Sequence, residues 1–220
     1  MAGKIDQVKT AVFGALVLAA AGAAAQDVGV VNHLSGDVSY TSGGKSAAAS
    51  AFMKLRQGDR FRVAAGGQVR VVYLASGRQE SYAGPSEFTA GAQASEALKG
   101  AVPQVSALPA GVPQRIAKTP ELLALAKMSR AGGYSVRSGP KPRTPEQEAE
   151  LRAARATYKE LRDTAAADDI TPELYLYAVL DDQRRYGDMK EVVSEMKRRQ
   201  PASADVELMA QYVQQKLEGK

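Results

Sequence analysis

Cysteine and tryptophan are absent from this chain of 220 residues, and histidine occurs once, as His33. The absence of cysteine excludes disulfide bonds, thiolate zinc ligands, thiol nucleophiles and an acylated lipoprotein cysteine. A single imidazole is too little for a histidine cluster, and no carboxylates are spaced to complete a metal site around it. We therefore expect no metal site and no cofactor, and we expect His33 to be an exposed or hydrogen-bonded residue between two strands. Any enzymatic chemistry is confined to carboxylate, Tyr, Lys or Ser side chains.

The first 25 residues have the features of a secretory signal peptide. A basic segment, 1–9, precedes an uncharged and Ala-rich run, 10–25, which ends in the small side chains Ala23 and Ala25. A basic start, a short apolar middle and an A-x-A end predict cleavage before Gln26. The alternative is a retained membrane anchor, which usually needs about 20 apolar residues. We expect a periplasmic protein that does not span the membrane after cleavage.

Lysine and arginine number 29 against 24 aspartate and glutamate residues, which gives a net charge of +5. These charges are spread along the chain, a pattern typical of a surface tuned for solubility. Two denser basic stretches, 130–143 and 197–199, leave open an anionic partner surface such as lipid head groups or another protein. Because an exported protein meets little nucleic acid, we expect no nucleic-acid partner.

Residues 27–91 are predicted to form a compact all-β domain. Short runs rich in Val, Tyr, Phe and Leu alternate with Gly-bearing turns, which is the rhythm of short strands. In segment 68–74 the odd positions are apolar and share one face, whereas Arg70 and Val72 lie on the other face. We therefore predict a strand with one buried face. Phe61 lies between two outward arginines in the same alternation.

The order of motifs in this region resembles the FecR domain family. The matching pieces are LSGDV at 34–38, LRQGD at 55–59, VRVVY at 69–73 and GPSEF at 84–88. The resemblance implies a periplasmic β domain, a barrel or sandwich, that is used for sensing or protein contact. The best-known members also carry a cytoplasmic segment and a membrane helix, and they relay a signal to a sigma factor. Only nine residues precede the apolar run here, so we do not expect such a relay from this chain alone.

The sequence after the β domain is predicted to be a linker followed by helices. Residues 92–118 are rich in Ala, Gly, Ser and Pro, which favours a linker, and residues 119–143 are predicted as a short helix and a basic loop. Capped starts at Thr144 and Thr171, with apolar positions three and four residues apart, predict four antiparallel helices in 144–220. This array is similar in architecture to tetratricopeptide-type modules. The predicted fold class is α+β with several domains, an N-terminal FecR-like β domain and a C-terminal antiparallel α-helical hairpin array.

Tyr175, Asp169 and Glu173 are the candidate partner-binding residues. Tyr175 and Tyr177 cannot both face the core of an ideal helix, since two positions subtend about 200°. We predict that Tyr175 is exposed and forms a partner groove with the turn that contains the two acids. The alternative is that Tyr175 packs on the linker or on the basic loop. The adjacent acids Asp168 and Asp169 are predicted to cap a helix rather than to converge on one site.

These features favour a non-catalytic, periplasmic FecR-domain protein that serves as an interaction, sensing or scaffold component of the bacterial cell envelope. We expect an envelope protein as its partner and no catalytic residues. Two alternatives stay open. The first is a carboxylate-based enzyme that acts on envelope polysaccharide, which requires two acids about 5–10 Å apart across a cleft. The second is a regulator that works with a separate membrane signalling protein.

Overall fold

The computed structural model describes residues 26–100, 102–131 and 144–219. The predicted signal peptide, 1–25, and most of the predicted basic loop, 132–143, lie outside the described residues. Two antiparallel β-sheets form the N-terminal half and helices form the C-terminal part, so the fold is α+β. Among the helices that the structure describes, none has the length and apolar character needed to cross a membrane.

Within the described ranges, ten strands are distributed equally between the two sheets. The strands are β1 (Asp27–Ser35), β2 (Val38–Ser42), β3 (Lys45–Ala48), β4 (Lys54–Arg56), β5 (Arg60–Val63), β6 (Gln68–Tyr73), β7 (Arg78–Ala83), β8 (Ser86–Ala90), β9 (Ser95–Gly100) and β10 (Gln104–Ala107). Sheet A has the order β10-β7-β6-β1-β4, and sheet B has the order β3-β2-β5-β8-β9. Every pair of neighbours is antiparallel.

The two sheets share an apolar core. In β5 the side chains of Phe61 and Val63 are buried while the two arginines are exposed, which confirms the predicted alternation. Phe61 stacks on Phe88 of sheet B with ring centroids 5.1 Å apart, and Phe88 stacks on Tyr82 of sheet A at 4.1 Å. Stacked rings of this kind add favourable contact beyond simple burial. The aromatic stack therefore ties one sheet to the other.

The structure differs from the predicted linker over 92–118. This segment contains edge strand β9, edge strand β10 and a short helix, α1 (Val112–Ile116). Strand β9 pairs with β8, and β10 pairs with β7. Pro103 and Pro109 flank β10, and Pro113 lies in the first turn of α1. Proline is tolerated at these positions because no backbone N–H is required there.

Five helices follow α1 in the described part of the chain. They are α2 (Thr119–Arg130), α3 (Pro145–Thr164), α4 (Thr171–Asp182), α5 (Tyr186–Arg199) and α6 (Ala204–Glu218). A side chain caps the N-terminus of two of them, at Thr144 and at Ser203, whereas the helix that begins at Thr171 has no side-chain cap at its N-cap residue, Ile170. The capped start at Thr144 is confirmed, because its Oγ1 accepts a hydrogen bond from the Gln147 N–H and the Gln147 side chain accepts one from the Thr144 N–H. From α3 to α6 each helix packs on the next, and α2 packs on α6.

The helical part covers the outer face of sheet A. In β6 both Arg70 and Val72 are buried together with the inward residues, so the prediction of one buried face is corrected. Asn32 on β1 and Gln79 on β7, the two strands that flank β6, form hydrogen bonds to residues at the start of α4. Phe52, in the loop before β4, is 2% exposed and belongs to the apolar cluster of the helices. Strands covered on both faces lack a strict apolar–polar alternation, which explains the adjacent valines of β6.

Candidate functional site

The three predicted partner-binding residues do not form an open groove. Asp169 is 3% exposed and Glu173 is fully buried, so neither carboxylate is available to a partner. Tyr175 is partly buried and packs against the cluster that contains Val112 and Ile116 of α1. The alternative that Tyr175 packs on the segment predicted as a linker is therefore what the structure shows. Its ring contributes to the contact between α1 and α4.

Asp169 is the centre of a buried polar cluster between sheet A and the helices. Its Oδ1 accepts a hydrogen bond at 2.9 Å from the N–H of Thr171, the first residue of α4, and its Oδ2 accepts one from Gln79 Nε2 at 2.9 Å. The Thr171 hydroxyl in turn accepts a hydrogen bond from Asn32 Nδ2. Buried polar groups are costly unless they are paired. The hydrogen bonds of this cluster therefore fix the position in which α4 packs on sheet A.

Glu173, on α4, is held by groups from two other helices, α3 and α5. It accepts hydrogen bonds from Tyr158 Oη and from Arg162 Nη1, both at 3.1 Å, and its Oε1 lies 3.3 Å from Arg199 Nε. Arg162 also donates to backbone carbonyl groups of the turn before α4, including that of Asp169. Burial and the nearby Glu173 carboxylate raise the pKa of Tyr158. The arrangement fixes the turn that carries both acids.

A pocket of about 340 Å³ opens where this turn meets sheet A. His33, Arg70 and Asp168 line it, and we call it the junction pocket. Arg70 Nη2 lies 3.6 Å from Asp168 Oδ1, and Arg70 Nη1 lies 3.5 Å from Asp169 Oδ1. The two adjacent acids thus converge on one guanidinium, contrary to the prediction, because they lie in a turn and not on a helix.

His33 is hydrogen-bonded in this pocket, as the sequence predicts. Its Nδ1 lies 3.1 Å from Gln200 Nε2, and its Nε2 lies 3.7 Å from Asp168 Oδ2. Burial and the positive charge of Arg70 lower the pKa of His33, against the opposing effect of Asp168 and Asp169. Because an amide N–H donates to Nδ1, the neutral imidazole fits this hydrogen bond better than the protonated form does.

The outer face of sheet B is open and carries a second recess. Two depressions of about 480 and 420 Å³ adjoin there, because Arg62 and Glu87 line both of them. We call the combined recess the open-face groove; its polar lining includes Thr41, Ser46, Arg60, Arg62, Glu87 and Lys99. Arg60 Nη2 and Arg62 Nη2 lie 2.7 and 2.9 Å from the two oxygens of Glu87. Three cations and one carboxylate therefore meet on this face.

Several residues that build these sites were missed by the sequence analysis. Arg70 and Asn32 were not recognised as buried, although they stand in runs with apolar residues on both sides. Such runs are typical of strands covered on both faces, and this signal was available. The open-face groove combines β2, β3, β5, β8 and β9. Its assembly depends on the strand order, which no local pattern specifies.

Across the described ranges, no group of three or more His, Asp or Glu side chains is placed to hold a metal ion. Comparisons of the chain with protein-family models, with curated proteins and with solved structures find no match. Function is therefore inferred from the chain's own geometry and from the motifs of its sequence.

Proposed function

We propose that this chain is a non-catalytic, FecR-like protein of the bacterial periplasm that contacts other envelope components through its β part. One observation carries the proposal: the two outer faces of the β part differ in their exposure to solvent. The outer face of sheet A is covered by the helices, while that of sheet B is open and charged. Arg60 and Arg62 are 57% and 72% exposed on this open face. A rigid face with exposed guanidinium groups is suited to recognition of a partner.

The positions of the FecR-like motifs support this proposal. LSGDV at 34–38 spans the turn from β1 to β2, and LRQGD at 55–59 spans the turn from β4 to β5. VRVVY at 69–73 lies in β6, and GPSEF at 84–88 leads from β7 into β8. All four pieces therefore fall within the two sheets. In this proposal the β part is a FecR-like sandwich, and the helices form a tetratricopeptide-like hairpin array that covers one side of it.

Export is the first requirement of the proposal. Protein recovered from the periplasm of the native host is expected to begin at or near Gln26, because the small side chains before it fit signal peptidase. N-terminal sequencing of that fraction measures this. Recovery only from the cytoplasm, with the first 25 residues retained, contradicts a periplasmic role.

Association with the envelope through the open face is the second requirement. Purified chain is expected to co-sediment with envelope fragments, and Arg60→Gln with Arg62→Gln is expected to reduce the bound fraction. The matched control is Arg152→Gln with Lys190→Gln, two exposed cations on the helical part. Equal loss in both double variants would mean that overall charge, and not the open face, drives association.

A further inference from the structure

The open-face groove carries a surplus of positive charge. Among the described residues, Glu87 is the one acid in its lining, and it is shared between Arg60 and Arg62. Lys99 also lines the groove and, within the part of the chain that the structure describes, forms no ion pair. One carboxylate cannot neutralise three cations, so N–H donors of Arg62 and Lys99 are left for a ligand. Guanidinium and ammonium groups in such a setting select carboxylates or phosphates.

Hydroxyl groups border these cations on the same face. Thr41 Oγ1 and Ser46 Oγ are 2.8 Å apart, and Ser39 lines the same depression. A hydroxyl is both a donor and an acceptor, so it pairs with the hydroxyls of a sugar. The two adjoining depressions, about 480 and 420 Å³, each have the size of a small-molecule site. Because the two depressions adjoin, the groove can hold a ligand of at least two linked sugar units.

The strand pairing argues against an extended peptide in this groove. Strands β2, β5 and β8 are each paired on both sides, so their backbone groups are not available for strand addition. Single-stranded nucleic acid is held mainly by stacking on aromatic rings, and the residues that line the two depressions include none. A membrane surface is recognised by clusters of about four to eight cations, which exceeds the three present here.

From these observations we propose that the open-face groove binds an acidic polysaccharide, a polymer of sugar units that bear carboxylates. The carboxylates pair with Arg62 and Lys99, and the sugar hydroxyls pair with Thr41 and Ser46. This inference rests on the proposed envelope function and adds the chemical class of its ligand. We propose binding and not cleavage, because glycosidases usually use a pair of carboxylates and Glu87 is the carboxylate that lines both depressions.

The test is binding of the full mature chain to polygalacturonate, measured by calorimetry in low salt. Neutral dextran serves as the uncharged polysaccharide, and inorganic polyphosphate serves as an anion without sugars. Polygalacturonate is expected to bind most tightly, and its affinity is expected to fall as salt is raised, since ion pairs are screened. Polyphosphate binding that equals or exceeds it overturns the assignment, as does tight binding of dextran or no binding of polygalacturonate.

Two variants locate the site. Lys99→Gln, which breaks no ion pair among the described residues, is expected to weaken polygalacturonate binding by about tenfold, as loss of one charge-assisted contact does. Thr41→Val with Ser46→Ala is expected to weaken polygalacturonate but to leave residual polyphosphate binding unchanged. Lys190→Gln on α5 is the control and is expected to have no effect. If Lys99→Gln binds polygalacturonate as tightly as the parent chain does, the open-face groove is not the binding site. The proposed envelope function is tested separately, by co-sedimentation of the chain with envelope fragments.

Discussion

His33 connects three segments of the molecule through one side chain. It stands on β1 and faces Arg70 of β6, the acids Asp168 and Asp169 before α4, and Gln200 after α5. Its hydrogen bond from Gln200 and its burial both favour the neutral ring. The protonation state of this imidazole is therefore linked to the contact between the sheet and the helices.

A pH dependence of stability follows from His33. Its folded-state pKa lies below the unfolded value of about 6.5, so the unfolded chain binds more protons as the pH falls below that value. The free energy of unfolding is then expected to decrease on acidification, with a slope from this residue of at most about 1.4 kcal/mol per pH unit. Urea unfolding between pH 5 and pH 8 measures this. His33→Gln should flatten the curve below pH 6.5, and a curve as steep as that of the parent chain contradicts the assignment.

Glu173 and Arg70 show that residue type alone does not predict which side chains are exposed. Both are charged, and charged side chains are seldom fully buried unless paired. Here Glu173 has two arginine partners and Arg70 has two aspartate partners. Removal of one partner from such a group leaves a buried charge without compensation. The polar pattern that suggested a binding surface therefore serves the packing of α4.

Strand β6 is the element on which the two parts of the chain meet. One of its faces contributes Val69, Val71 and Tyr73 to the core between the sheets. Its other face carries Arg70 to the junction pocket, and Val72 is buried there as well. A central strand covered on both sides loses contact with water almost entirely, which places it among the most protected elements of a fold.

The loop before β4 adds an apolar contact to this junction. Phe52 has a φ of +60°, an unusual conformation for a residue with a side chain, and its backbone N–H donates to the Val31 carbonyl. Its ring belongs to the apolar cluster that the helices form. The strained backbone thus places an aromatic ring of the β part inside the helical core.

Phe52→Ala is expected to lower the free energy of unfolding by about 3–5 kcal/mol, the usual effect of losing a buried phenyl ring. Alanine also has a Cβ, so the variant keeps the energetic cost of the positive φ. The difference in unfolding free energy between the parent chain and the variant therefore measures the contribution of the buried ring. The shift of the urea midpoint at constant slope gives the value. Leu98→Ala, at a side chain 50% exposed on β9, is the control and should change stability by less than about 0.5 kcal/mol. Equal effects of the two substitutions would show that the ring is not buried in solution.

At the scale of the whole molecule, the β part and the helices form one packed unit in place of two linked modules. The buried cluster around Asp169, the ring of Phe52 and the ion pair of Lys54 with Glu121 at 3.3 Å all join the two parts. Helix α1 extends this contact, because it packs on α4. Unfolding of one part would expose apolar and polar groups of the other.

We therefore expect a single cooperative thermal transition, with calorimetric and van't Hoff enthalpies that agree. Segment 92–118 should also resist trypsin under native conditions, since Lys99 lies in the paired strand β9, and Arg115 and Lys118 both pair with Asp182. Scanning calorimetry and limited proteolysis measure these properties. Two separate transitions, or rapid cleavage at Arg115 with two stable fragments, would favour the modular arrangement that the sequence predicts.

Local chemistry was enough to determine several elements of this protein. The alternation in β5, the turn between β6 and β7 and the capped start of α3 each depend on residues only a few positions apart. Their signals are steric preferences and nearby hydrogen bonds, which act before the chain folds. The α+β class follows from the same local patterns, because strand-like and helix-like periods occupy different parts of the chain.

The tertiary structure alone decided which polar groups are buried and which face is open. Asn32 and Thr171 are 139 positions apart, and Gln79 and Asp169 are 90 apart, so no window of sequence contains both partners. Strand β10 also depends on a strand that does not adjoin it in the sequence, since β7 supplies its hydrogen bonds. Burial is a property of what packs on a face. The sequence shows each face, but only the folded chain shows what covers it.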